Sequence, residues 1–150
     1  MKTKKILRFI PAFVIMAVIF FFSAQTGDES TVLSDGVVSA AAGEENVGSE
    51  LLTVIVRKSA HFLEYAALGA AMYFGMRGVG KDERQAKRLL LSAALGGLYA
   101  VSDELHQYFV PGRACMASDV LIDTCGAAFG AVFLFLIFKL ADIFGLGQKQ

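Results

Sequence analysis

Tryptophan is absent from this 150-residue chain, and cysteine and proline occur only twice each. Two cysteines exclude a disulfide-stapled scaffold. Net charge is missing as well, because 14 Lys and Arg balance 14 Asp and Glu. No basic stripe exists to track a phosphate backbone, so nucleic acid is not an expected partner. Charged residues reach only 19%, against about 25% in soluble domains. With 55% hydrophobic residues, that shortage excludes disorder and argues against a soluble enzyme. There is no G-x-S-x-G elbow, no H-E-x-x-H, no P-loop and no strand followed by G-x-G-x-x-G. No Cys/His spacing matches a zinc signature.

What is abundant is apolar sequence in long runs. A bilayer core needs roughly 20 mostly apolar helical residues, and four stretches reach that length: about 6–24, 57–76, 89–110 and 119–140. The expected fold is all-α, a single domain over 1–150 built as an integral membrane bundle of four transmembrane helices. The first stretch follows Lys2, Lys4 and Lys5, like a signal peptide. Phe22, however, occupies the outer small-residue position of a cleavage site, so a retained helix is expected. Pro11 lies about a turn inside it, where it bends the start of the helix and removes few hydrogen bonds.

Orientation follows the basic residues. Lys2, Lys4, Lys5 and Arg8 precede the first run; Arg77, Lys81, Arg84, Lys87 and Arg88 separate the second from the third; Lys139 and Lys149 lie at and beyond the end of the fourth. The segment 26–56 contains no Lys or Arg but holds Asp28, Glu29, Asp35, Glu44, Glu45 and Glu50. Both termini and the middle loop are therefore expected in the cytoplasm, and the acidic loop outside. Within that loop Val32, Leu33, Val37, Val38 and Ala41 recur at an approximate helical period. This pattern fits a short helix on the outer surface, with Gly36 and Gly43 weakening it in favour of a solvated loop.

Polar residues interrupt three of the four runs at their outer ends. Arg57, His61 and Glu64 share one helix face, and so do Asp103, His106 and Gln107, with Glu104 beside them. Asp119 and Asp123 share another, which Gly126 and Gly130 continue. At 1.5 Å per residue, Glu64 lies roughly 10 Å below Arg57, Asp103 roughly 8 Å below Tyr108 and Asp123 roughly 6 Å below Asp119. Three separate segments thus bring ionisable groups to one layer, where each needs a partner or a wet cavity. A purely structural ion-pair layer explains this poorly, since buried pairs contribute little net stability. Lys58, Ser59 and Glu104 read equally well as ordinary rim residues.

The layer offers named roles. Arg57, Lys58 and Arg113 are the three basic residues on the outer side and can meet phosphate. Gln107, Asp119 and Asp123 complete the ligand-binding candidates. Glu64, Asp103, His61 and His106 are candidates for acid–base catalysis and equally for metal ligation. With neutral histidines, the three bases leave two of five carboxylate charges unbalanced. A divalent metal would neutralise them, and so would protonation on burial. Gly126-Ala-Ala-Phe-Gly130 lets helix backbones approach closely beneath the layer.

Phe22-Ser-Ala-Gln25, Arg57-Lys-Ser-Ala-His-Phe-Leu-Glu-Tyr-Ala66, Ser102-Asp-Glu-Leu-His-Gln-Tyr-Phe-Val-Pro-Gly-Arg113 and Ser118-Asp-Val-Leu-Ile-Asp-Thr-Cys-Gly126 follow one another in order. Together these pieces resemble the VanZ-like family of bacterial membrane proteins. The resemblance implies a multi-pass protein of the cell membrane and an association with resistance to glycopeptide antibiotics, notably teicoplanin. It carries over no reaction. Three readings follow: a module that binds an anionic envelope lipid or a lipid-linked wall component; a membrane hydrolase or transferase acting on such a lipid; and an accessory structural protein of the envelope. Cys115 and Cys125 both lie toward the outer side, where pairing is chemically open and free thiols are expected.

Overall fold

Each apolar run folds as helix, and the computed structural model of the chain describes residues 6–77 and 85–145. Five α-helices follow in order: α1 (Ile10–Ser23), α2 (Gly27–Ala42), α3 (Glu50–Met76), α4 (Gln85–Gln107) and α5 (Ala117–Ile143). No strand occurs among the described residues. A 3₁₀ turn over Leu7–Phe9 leads into α1, and Pro11 occupies its first turn, where a missing N–H costs no helical bond. Lys2, Lys4, Lys5, Lys81, Arg84 and Lys149 lie outside the described residues.

The helices match the four runs with shifted ends. The second run is expected from Arg57, yet α3 begins two turns earlier at Glu50. The third is expected to reach Val110, yet α4 stops at Gln107, before Pro111 and a Gly112 at φ +74°. By length and composition, α5 is the one described helix that can cross a membrane by itself. Leu7–Ser23 and Gly27–Ala42 qualify as a pair but are bent by 107°. In α3 and α4, His61, Glu64, Asp103, Glu104 and Gln107 dilute the apolar composition.

The helix expected in the acidic segment forms as α2 and is longer than the weak period over 30–42 implies. Thr26 accepts from the Glu29 N–H at 3.3 Å, and the Glu29 carboxylate accepts from the Thr26 N–H at 2.8 Å. This capping box satisfies two backbone donors at once. Ser30, Ser34 and Val38 are the buried residues of α2, whereas Val32, Leu33 and Val37 are exposed. Thr53 Oγ1 donates to Asp35 Oδ1 at 2.8 Å and docks α2 on α3. At its start, the Gly27 N–H donates to Pro111 O at 3.0 Å. A Cβ on Gly27 would overlap the Gly112 carbonyl, so glycine permits that contact.

The Thr26 N–H, followed by its hydroxyl, holds the exposed Glu29 carboxyl below its ordinary range. A depressed carboxyl pKa stabilises the cap above the unfolded-state value and loses that contribution as pH falls through the folded value. Protection of the first-turn amides of α2, relative to their intrinsic exchange rates, should therefore fall below about pH 4. Thr26→Ala should cost about 1 kcal/mol of helix stability, and Glu29→Gln, which cannot titrate, should flatten that pH dependence. An unchanged pH profile in Glu29→Gln would remove the capping box as its cause.

Packing is densest where α5 crosses α3, and α5 also contacts α4. Small residues make this possible. A Cβ at Gly69, Gly126 or Gly130 would collide with the carbonyl of Ala127, Phe62 or Ala66 respectively. Ala100, Ala127 and Ala131 are fully buried, and Ala12, Ile19, Tyr65 and Leu68 fill the centre. None of the 13 phenylalanines is buried. In water that residue belongs among the most buried, whereas here the phenylalanines lie toward the surface and glycine and alanine make the closest helix contacts.

Candidate functional site

The α3–α5 crossing and the last turn of α4 converge on a buried polar cluster. On α4, Asp103 is 3% exposed, and its Oδ2 accepts from Ser23 Oγ at 2.8 Å and Gln107 Nε2 at 3.2 Å. Gln107 Nε2 also donates to Ser23 Oγ at 3.0 Å. These bonds join the end of α1 to the end of α4. Glu104, which also reads as a rim residue, is 1% exposed instead. Its Oε2 accepts from the Met116 N–H at 2.8 Å and supplies the cap that Met116 itself lacks at the start of α5.

On α5, Asp123 is completely buried, and neither carboxylate oxygen has a hydrogen-bond partner. Its Oδ1 lies 3.7 Å from His61 Nδ1, which also lacks a hydrogen-bond partner. The Tyr65 hydroxyl, one turn below His61, is buried beside Asp103 and Asp123 without a hydrogen-bond partner. One donor atom each from His61, Asp103 and Asp123 lies within 4.8 Å of the other two. Glu64 and His106 are not part of that triplet. The His106 ring stacks on Phe20, with centroids 4.7 Å apart and planes 18° from parallel.

Beside the cluster, a half-open cavity of about 290 Å³ lies between α2, α3 and the end of α1. Arg57, His61, Glu64 and Arg113 line one part of it, and Leu33 and Val37 of α2 line another. Arg113 Nε donates to Gln25 O at 3.1 Å, and its Nη2 to Phe22 O at 3.3 Å, so it caps the C-terminal end of α1. Burial, then the neighbouring Arg57 guanidinium, lowers the Arg113 pKa from its ordinary value. Arg57 makes no hydrogen bond or ion pair with the described residues. Two guanidinium groups therefore face one space, one of them uncommitted.

The remaining sequence candidates separate from this cavity. Lys58 and Asp119 form an ion pair that ties α3 to α5. Neither lines the cavity, so Lys58 points away from Arg57 although the two are adjacent. Cys115 and Cys125 are free and exposed. Two contributors escaped the reading for charge: Ser23, which bonds Asp103, and the Tyr65 hydroxyl. Both fall inside the ordered pieces Phe22–Gln25 and Arg57–Ala66, which was the available signal.

No curated protein and no solved structure matches the chain. The family described as VanZ/LLP1 matches residues 9–139, a stretch that holds every residue of the cluster and the cavity. The chain belongs to the VanZ/LLP1 family.

Proposed function

We propose that this protein is a multi-pass membrane protein of the cell envelope that holds an anionic lipid, or a lipid-linked wall component, in the cavity between α2 and α3. The observation that carries this reading is Arg57, uncommitted and close to Arg113 in a cavity whose other wall is Leu33 and Val37. Guanidinium meets phosphate as a planar fork, and the apolar wall suits an acyl or isoprenyl chain. An anion between the two arginines also relieves their mutual repulsion.

The outward-lying phenylalanines support the membrane setting. Exposed Phe13, Phe21, Leu98, Leu121 and Phe133 would face lipid, while glycine and alanine serve the close helix contacts expected there. In this reading α1, α3, α4 and α5 span the bilayer, α2 lies on the outer surface and both termini are cytoplasmic. The polar groups of α3 and α4 then face the cavity and cluster rather than lipid.

Orientation is tested with reporter fusions. Alkaline phosphatase joined after residue 40 should be active, and a cytoplasmic reporter should work after Lys81. The reverse pattern would put the cavity on the wrong side for a wall component. Binding is tested by native mass spectrometry of the purified chain with phosphatidylglycerol, a polyisoprenyl phosphate and phosphatidylcholine. The two anionic probes should be retained in preference to phosphatidylcholine, and equal retention of all three would overturn the proposal.

A further inference from the structure

We propose that His61, Asp103 and Asp123 form a binding site for a divalent transition-metal cation, of the zinc or manganese class, beneath the floor of the lipid cavity. The juxtaposition comes from three helices: α3 supplies the imidazole, and α4 and α5 supply one carboxylate each. Asp123 is the decisive residue. It is fully buried, both oxygens lack a protein donor, and the one lysine near the rim pairs with Asp119 instead. A buried carboxylate without a partner is strongly destabilising unless it is neutralised or ligated.

The geometry fits ligation better than a hydrogen bond. His61 Nδ1 and Asp123 Oδ1 stand 3.7 Å apart, too far for a direct bond. Two ligands at about 2.1 Å from a tetrahedral ion are separated by roughly 3.4 Å. Donors within 4.8 Å of one another therefore close on an ion through side-chain rotation of about 1 Å, without moving a helix. A cation there supplies partners for His61 Nδ1 and the Asp123 oxygens together, atoms that otherwise have none. Asp103 keeps Ser23 and Gln107 on its Oδ2, and such bonds orient a ligating carboxylate. A nitrogen among the donors selects zinc or manganese over calcium or magnesium.

The proposal goes beyond lipid binding and stands apart from it, because neither arginine is a ligand. The test uses purified chain in lipid-free detergent, stripped with EDTA, dialysed against Zn²⁺ or Mn²⁺, and analysed by inductively coupled plasma mass spectrometry. About one equivalent of one of these metals should remain per chain, with a rise in Tm. Asp123→Asn, isosteric but neutral, should weaken binding by about 100-fold or more and abolish that rise. Should Asp123→Asn fail to fold, His61→Gln provides the same comparison from the other side of the ion. Glu29→Gln on the exposed cap should bind as wild type. Arg57→Lys should keep the metal even where lipid retention is lost, so the two proposals fail independently. No retained metal in the wild type, equal retention of Mg²⁺ or Ca²⁺, or full retention by folded Asp123→Asn and His61→Gln would overturn the site.

Discussion

Gly130→Ile should separate α5 from α3 and lower stability by about 3 kcal/mol or more. A Cβ at Gly130 falls within the contact radius of the Ala66 carbonyl oxygen, which is backbone and has no rotamer with which to yield. Only movement of one helix away from the other makes room. That movement also opens the close contacts of Gly126 with Phe62 and of Gly69 with Ala127, since all three lie along one crossing. Overpacking usually costs about 1–3 kcal/mol where side chains can repack, and here none can. The branched Ile adds helix crowding. Denaturation in detergent should give a lower midpoint for Gly130→Ala and a much lower one for Gly130→Ile. Gly36→Ala is the control: a Cβ there meets nothing within 4 Å, so it should be neutral or stabilise α2 by up to about 1 kcal/mol. An unchanged midpoint for Gly130→Ile would mean that this face of α5 does not pack on α3.

The same crossing explains what the sequence reveals readily. Asp119, Asp123, Gly126 and Gly130 repeat every four residues or nearly so, and a helix turns that spacing into a face. The face meets α3, so the aspartates and the close glycine contacts are legible together. Burial along the face is not. Asp119 stays at the rim with Lys58, whereas Asp123, one turn deeper, has no hydrogen-bond partner and only His61 Nδ1 at 3.7 Å. Periodicity places residues on a side but does not say which opposing helix crosses at which height. His106 illustrates this, because the stacking partner that takes its ring, Phe20, comes from α1. Hydroxyls are harder still: Ser23 and Tyr65 carry no charge, and only tertiary contact reveals them.

The second helix was legible by a different signal. Its apolar period is weak because the buried face carries Ser30 and Ser34 and the apolar residues Leu33 and Val37 line the cavity. Thr26 and Glu29, three apart before an apolar-periodic stretch, are the stronger sign of a helix start. Hydropathy likewise ranks α3 and α4 below α5, because the residues that make the polar cluster are the ones that lower their apolar average.

Arg57→Lys and Glu64→Gln together decide what the cavity does. Lysine at residue 57 keeps the positive charge and loses the planar pair of donors. Charge-assisted hydrogen bonds are worth about 1.5–3 kcal/mol, so retention of a polyisoprenyl phosphate should fall by roughly 10- to 100-fold. Arg113 does not compensate, because its Nε and Nη2 already serve the carbonyls of Gln25 and Phe22. Arg57 makes no hydrogen bond or ion pair with the described residues and takes no part in the α3–α5 crossing, so expression and Tm should hold. Glu64→Gln keeps shape while removing a negative charge from the cavity wall. For a binding protein that change should leave anion retention unchanged or raise it, because a repulsive carboxylate is gone. For a catalyst it should abolish turnover while the lipid still binds. Native mass spectrometry reads retention, and teicoplanin susceptibility of cells expressing each variant reads the outcome in the envelope. Loss of retention in Arg57→Lys with full retention and unchanged susceptibility in Glu64→Gln supports binding as the function. Changed susceptibility in Glu64→Gln with the lipid still bound would require chemistry at the carboxylate. Wild-type behaviour of both variants would overturn the lipid proposal.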